Sequence, residues 1–160
     1  MKCIRQFPQW HRACTRPTGA CRRGVPCRVQ RPEPRPKAWA EKYRPQYDEL
    51  FATIASWRDG RPTVLRTVDK YSDWLGWEDA HLTPDQEKRT VFVHDDWNKM
   101  ICESADAHGF ECADIYHDFN GKDGTKPSGD LLAQDYTHPS DSGNESIARV
   151  LIDQGFEPLT

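Results

Sequence analysis

Residues 38–160 of this 160-residue chain are expected to form an α/β fold with parallel strands. Three observations lead there. Hydrophobic periods of three to four residues alternate with short apolar runs, in the order helix, strand, helix, strand, helix. The first of these runs, Thr63–Val68, is short and β-branched, which suits a buried strand. The first 37 residues contribute nothing to this pattern, because prolines at 8, 17, 26, 32, 34 and 36 interrupt any helix that starts there.

The first helix is expected over about 38–57. Trp39, Tyr43, Tyr47, Leu50, Phe51, Ile54 and Trp57 recur at helical steps and should form its buried face, with Pro45 as an interior blemish. Asp59, Gly60 and Pro62 end it. Thr63–Val68 reads as a buried strand. Residues 69–82 are loop-like, with Trp74 and Trp77 as anchors.

Thr83 opens the second helix. Its hydroxyl can cap, Pro84 suits the first helical position, and Gln86 completes a capping box. Val93, Trp97, Met100, Ile101 and Ser104/Ala105 should face inward, and Gly109 closes the helix. Phe110–Tyr116 reads as the second strand. Residues 117–139 are rich in Gly, Asp and Pro and read as a long loop, a kind of segment that usually carries function. The last helix should run from about Ser140 to Gln154, with Ile147, Val150 and Leu151 inward.

Charge divides the chain in the same place as pattern. Residues 1–37 hold ten Lys/Arg and one acid (Glu33), a charge of +9; residues 38–160 carry −12, and the whole chain −3. Cysteine divides likewise, with Cys3, Cys14, Cys21 and Cys27 in the basic arm and Cys102 and Cys112 beyond it. A split of this kind suggests two segments of different origin or task. No apolar run is long enough to span a membrane, and none in the first thirty residues has signal-peptide length. Localisation stays open.

The stretch that carries chemistry is Asp130-Leu131-Leu132-Ala133-Gln134-Asp135-Tyr136-Thr137-His138-Pro139-Ser140. His138 has the side chain whose ordinary pKa lies nearest neutrality, which suits a general base. Asp135, three residues earlier, could accept the Nδ1 proton of His138, fix its tautomer and stabilise the imidazolium. The bland alternative is a surface turn whose Asp caps the following helix.

An Asp-x-x-His-Pro followed by a helix resembles the last conserved block of SGNH/GDSL-type serine ester hydrolases. Trp97–Cys102, Gly109–Tyr116 and Phe119–Gly121 are similar to the helix and final strand that precede that block. The resemblance covers roughly residues 38–160. It implies a flavodoxin-like three-layer α/β/α sandwich, truncated here to its last strands and helices. It also implies cleavage of small-molecule or lipid carboxylic esters, with His138 as base and Asp135 as its orienter. No cofactor and no metal are expected.

The family's earlier blocks are missing. The sequence contains no Gly-Asp-Ser to present a nucleophile and no Gly-x-Asn-Asp to supply oxyanion donors; Ser128-Gly129-Asp130 has the wrong order and place. The expectation is therefore a chain inactive alone, read from a truncated or frame-shifted gene, with residues 1–37 as non-native sequence. Loss of the first strands should also leave an open sheet edge and an apolar face prone to aggregation.

Other patterns point elsewhere. His11, Cys14, Cys21 and Cys27 hint at a zinc knuckle but lack closely paired cysteines. Trp10 and Phe7 among arginines could contact nucleic acid or an acidic surface. That makes a non-catalytic, basic-arm binding protein the second reading, although no fold supports nucleic-acid recognition. Cys102 and Cys112 could form a short disulfide or stay as buried thiols. His94-Asp95-Asp96 and His117-Asp118 read as solvated charge on polar helix faces. Asp118–Gly124 fails as a calcium loop, because Lys122 and Asp123 occupy its fifth and sixth positions.

Overall fold

The computed structural model describes residues 35–77 and 81–159, with backbone alone for 35 and 36. The possible zinc and nucleic-acid residues of the arm lie outside the described residues. Residues 34–160 form a compact unit by themselves.

Helix α1 spans Arg35–Ser56, starting three residues before the expected position and carrying Pro45 within it. Strand β1 is Arg66–Val68, and helix α2 is Pro84–Asp106. The capping box forms as anticipated: the Thr83 hydroxyl accepts from Gln86 N, and the Gln86 side chain accepts from Thr83 N. Strand β2 is Glu111–Ala113, shorter than expected, because Ile115–Asn120 forms helix α3. A 3-10 turn at Gly129–Leu131 and helix α4 at Asp141–Asp153 complete the order.

The strands pair in parallel, with Arg66, Thr67 and Val68 opposite Glu111, Cys112 and Ala113. Among the described residues these two strands are the whole sheet. Two apolar clusters border it. The first joins α1 and α2 through Ala40, Phe51, Met100, Ile101, Ala105 and Phe110. Its seam is aromatic: Trp97 meets Tyr43 at 5.5 Å and Tyr47 edge-on at 6.0 Å, and Phe51 meets Phe110 at 4.9 Å. The second gathers Tyr71, Ala113, Ile115 and Phe119 against Ile147, Val150 and Leu151 of α4. Neighbouring residues of β2 serve the two sides in turn, as a pleated strand requires. Cys112 is disulfide-bonded to Cys102 of α2, and Ala113 belongs to the second cluster.

Several expected core residues lie elsewhere. Trp39, Leu50 and Trp57 flank the buried stripe of α1 and stay 54%, 50% and 70% exposed, while Ala40 takes the inner position. On α2, Val93 is exposed and its neighbour His94 is buried, stacked on Tyr116 at 5.5 Å with Nδ1 on Thr90 O. Burial holds the His94 pKa below its ordinary value, so this ring packs as a neutral core side chain rather than as solvated charge. The buried face of α2 is thus offset by one residue from the expected one, since Val is the more apolar of the pair. Tyr116, arriving from α3, supplies the ring that makes His94 the better fit.

Helix α3 has a non-local cause. Asp69, just past β1, accepts from Ile115 N at 2.7 Å and from Tyr116 N at 2.8 Å. Asp114 caps His117 N. Together they satisfy the first N–H groups of a six-residue helix that could not nucleate alone.

Candidate active site

The four residues after β1 bind four different parts of the unit. Asp69 holds the start of α3. Lys70 is bracketed by Asn98 of α2, whose Oδ1 accepts from Lys70 N while its Nδ2 donates to Lys70 O, both at 2.9 Å. Tyr71 donates its hydroxyl to Thr137 O at 2.7 Å. Ser72 is bracketed by Asn120, whose Oδ1 accepts from Ser72 N at 2.7 Å and whose Nδ2 donates to Ser72 O at 3.1 Å. Asn120 is fully buried and also donates to Lys126 O and Ser128 Oγ, so it fixes the following loop on the same anchor.

From that anchor the chain runs through the 3-10 turn into a tight loop. Leu132 and Pro139 form an antiparallel bridge; Ala133 N donates to His138 O and Ser140 N to Leu131 O. Tyr136 at the tip adopts a left-handed φ of +57°, which an ordinary residue holds only when its surroundings dictate it. Ser140 then caps α4 by accepting from Gly143 N. Gly143 has no room for a side chain, since a Cβ there would lie 2.1 Å from Leu131 O.

This loop brings the two expected site residues together. His138 Nδ1 lies 2.7 Å from Asp135 Oδ2, while Asp135 Oδ1 accepts from Thr137 N and His138 N at 3.0 Å each. The carboxylate thus binds the histidine through both side chain and backbone. The imidazole hydrogen bond first, then the two backbone N–H groups, hold the Asp135 pKa down at about 2. Asp135 is therefore an anion at neutral pH, placed to accept a hydrogen bond from an Nδ1–H of His138. Both side chains are exposed, 77% for His138 and 53% for Asp135.

An open groove of about 330 Å³ lies beside the pair, between Trp77, Pro127, Gly129 and Tyr136, with Asp73 and Asp130 on its wall. Neither Asp135 nor His138 lines it; their neighbours Gln134 and Tyr136 do. Trp77 stacks near-parallel to Tyr136 at 6.3 Å.

Among the described residues the structure repeats the motif once. Asp114 and His117 also pair at 2.8 Å across three residues, at the head of α3, with no strained loop and no bridge around them. His117 is exposed, as expected of solvated charge, and pairs with Asp114, while half-buried Asp118 pairs with Arg149 at 2.9 Å and with Ser146. Sequence reasoning found Asp135 and His138 because their contact is local. It missed Tyr71, Asn98 and Asn120, whose partners lie 66, 28 and 48 residues away.

Comparison with protein-family models, with curated proteins and with solved structures finds no match to this chain.

Proposed function

We propose that residues 38–160 are the acid–base part of an SGNH-type serine hydrolase acting on carboxylic esters, built on the closing strands and helices of a flavodoxin-like α/β/α sandwich. One observation carries the reading: Asp135 and His138 meet at 2.7 Å on a loop braced by a backbone bridge, between the sheet and the final helix. In this reading His138 Nε2 takes the proton from an attacking hydroxyl. Asp135 stabilises the imidazolium through Nδ1, and the proton then passes to the leaving alcohol oxygen. Positioned base catalysis of this kind is worth about 10²–10⁴-fold. Helices flanking a parallel strand pair support the fold reading. The sequence carries neither the Gly-Asp-Ser nor the Gly-x-Asn-Asp motif, so in this chain the base acts without the family's nucleophile block.

Hydrolysis of p-nitrophenyl acetate tests the proposal. With no serine block the hydroxyl is that of water, so in place of the family's full activity the expected result is slow turnover that falls at least tenfold in His138→Ala and is unchanged in His117→Ala, whose ring has the same local partner without the braced loop. Equal rates in the unsubstituted chain and in His138→Ala would refute a base role for His138.

A further inference from the structure

The peptide group between Thr137 and His138 is fastened at both ends. Its N–H donates to Asp135 Oδ1 at 3.0 Å, and its C=O accepts from the Tyr71 hydroxyl at 2.7 Å. Tyr71 comes from the segment after β1, so this bond ties the Asp135–His138 loop to the sheet across 66 residues of chain. The phenol is itself held. Its ring stacks on Phe119 at 4.5 Å and 18°, Lys70 Nζ sits 3.8 Å from its centroid, and only 8% of the residue is exposed. Burial, with the Asp73 and Asp135 carboxylates, raises the Tyr71 pKa above its ordinary value, which keeps the hydroxyl a donor.

We infer that Tyr71 is a positioning residue for the Asp135–His138 pair, acting through the Thr137–His138 peptide; this rests on the base role proposed above. Two consequences follow from the bonding. First, the peptide plane sets where the His138 Cα directs its side chain, so fixing that plane fixes the imidazole against Asp135. Second, a donor on the C=O polarises the same amide and strengthens its N–H as a donor to Asp135 Oδ1, as in any hydrogen-bonded chain of amides. The other loop-closing bonds, Ala133 N to His138 O and Ser140 N to Leu131 O, are backbone bonds within the loop itself. Among the described residues Tyr71 supplies a side-chain bond that reaches Thr137 from another element.

The test is Tyr71→Phe, which keeps the ring on Phe119 and removes the hydroxyl alone. The readout is the imidazole Nδ1–H proton resonance of His138, shifted downfield by its carboxylate partner. Loss of one hydrogen bond of about 1–1.4 kcal/mol corresponds to a five- to tenfold change in equilibrium. In Tyr71→Phe that proton should exchange with water about five- to tenfold faster, and ester turnover should fall in kcat with KM unchanged. Asp135→Asn is the companion variant. If it leaves the resonance where it was, the pair itself is not formed and the base reading fails. If Asp135→Asn abolishes the resonance while Tyr71→Phe alters neither exchange nor kcat, the base reading stands and the role of Tyr71 is overturned. Should Tyr71→Phe fail to fold, exchange of the Tyr71 hydroxyl proton, which donates to Thr137 O, decides in the unsubstituted chain. Protection supports the clamp, and exchange at the rate of an unfolded peptide overturns it.

Discussion

Asp69 and Asp135 are both carboxylates that accept backbone N–H groups, yet they titrate in opposite senses. Burial outweighs the two N–H bonds at Asp69 and pushes its pKa up from 3.8 to about 6. At exposed Asp135 the hydrogen bonds dominate and pull it down to about 2. The linkage signs follow. A raised pKa favours the folded state most below the unfolded value, so Asp69 should make stability decline as pH rises from about 4 through 6, by on the order of 3 kcal/mol. A depressed pKa favours the folded state above the unfolded value, so the contribution of Asp135 is lost as pH falls from about 4 through 2. Urea titrations across this range should show Asp69→Asn flattening the upper limb and leaving the lower one, since Asn keeps an oxygen for Ile115 N and Tyr116 N. An unaltered pH profile in that variant contradicts the burial argument. Gly143 allows a second check at this scale. With a Cβ meeting Leu131 O at 2.1 Å, Gly143→Ala must displace the loop that carries Asp135 and His138. A cost of about 1–3 kcal/mol is expected, together with loss of the His138 Nδ1–H signal. Retention of that signal at full stability would show that α4 can shift without moving the loop.

Elements differ in how far their own residues decide them. In α2 the opening cap is local and forms from Thr83 as the sequence indicates, whereas the buried face depends on Tyr116 of α3. In α1 the helix continues through Pro45, which lacks an N–H and crowds the carbonyl one turn back. Replacing Pro45 by Ala should therefore raise the unfolding free energy by about 1–2 kcal/mol once the looser unfolded chain is counted, seen as a higher urea midpoint. No change would mean that the aromatic seam with α2 has absorbed the irregularity. The Cys102–Cys112 link closes a loop of ten residues between α2 and β2. Constraint of the unfolded chain is worth about 2–3 kcal/mol in the chain-entropy account. The double variant Cys102→Ser with Cys112→Ser should lose that much in denaturant unfolding, and equal stability would assign the bond no role in the fold. Helix α3 is the element sequence reasoning could not find. Ile115, Tyr116 and Phe119 have strand-like composition, and the decision rests with Asp69, 46 residues upstream. The site divides along the same line. Asp135 and His138 were legible because a carboxylate three residues before an imidazole needs only a turn to reach it. Their bracing by Tyr71 and the buried Asn120 depended on which segments the fold brings together, and no local pattern records that.

At the scale of the whole compact unit, the two-stranded sheet leaves strand edges without a partner strand among the described residues. Large apolar side chains also remain in solvent, among them Trp57 at 70%, Phe92 at 64% and Trp39 at 54%. Unpaired edges and exposed apolar side chains both promote association. Sedimentation velocity should show species heavier than the 18.5 kDa chain, increasing with concentration. Val68→Lys, which puts a charge on the end of β1, should shift the distribution toward monomer. A single monomeric species at all concentrations, with a cooperative melt, would show that the sheet is satisfied as it stands.

The segment 69–72 also governs where the covalent chain can be cut. Between α1 and β1, residues 57–62 are exposed throughout, and Gly60 is at an open turn. A protease nick there severs one connection while α1 stays on α2 through Trp97, Phe51 and the Arg44–Glu103 ion pair. A nick between Asp69 and Ser72 detaches the head of α3, the anchor of Asn120 and the phenol under Thr137 in one event. The molecule is thus divisible at its first turn and indivisible at its second, which makes 57–62 the place to join, split or circularly rearrange it.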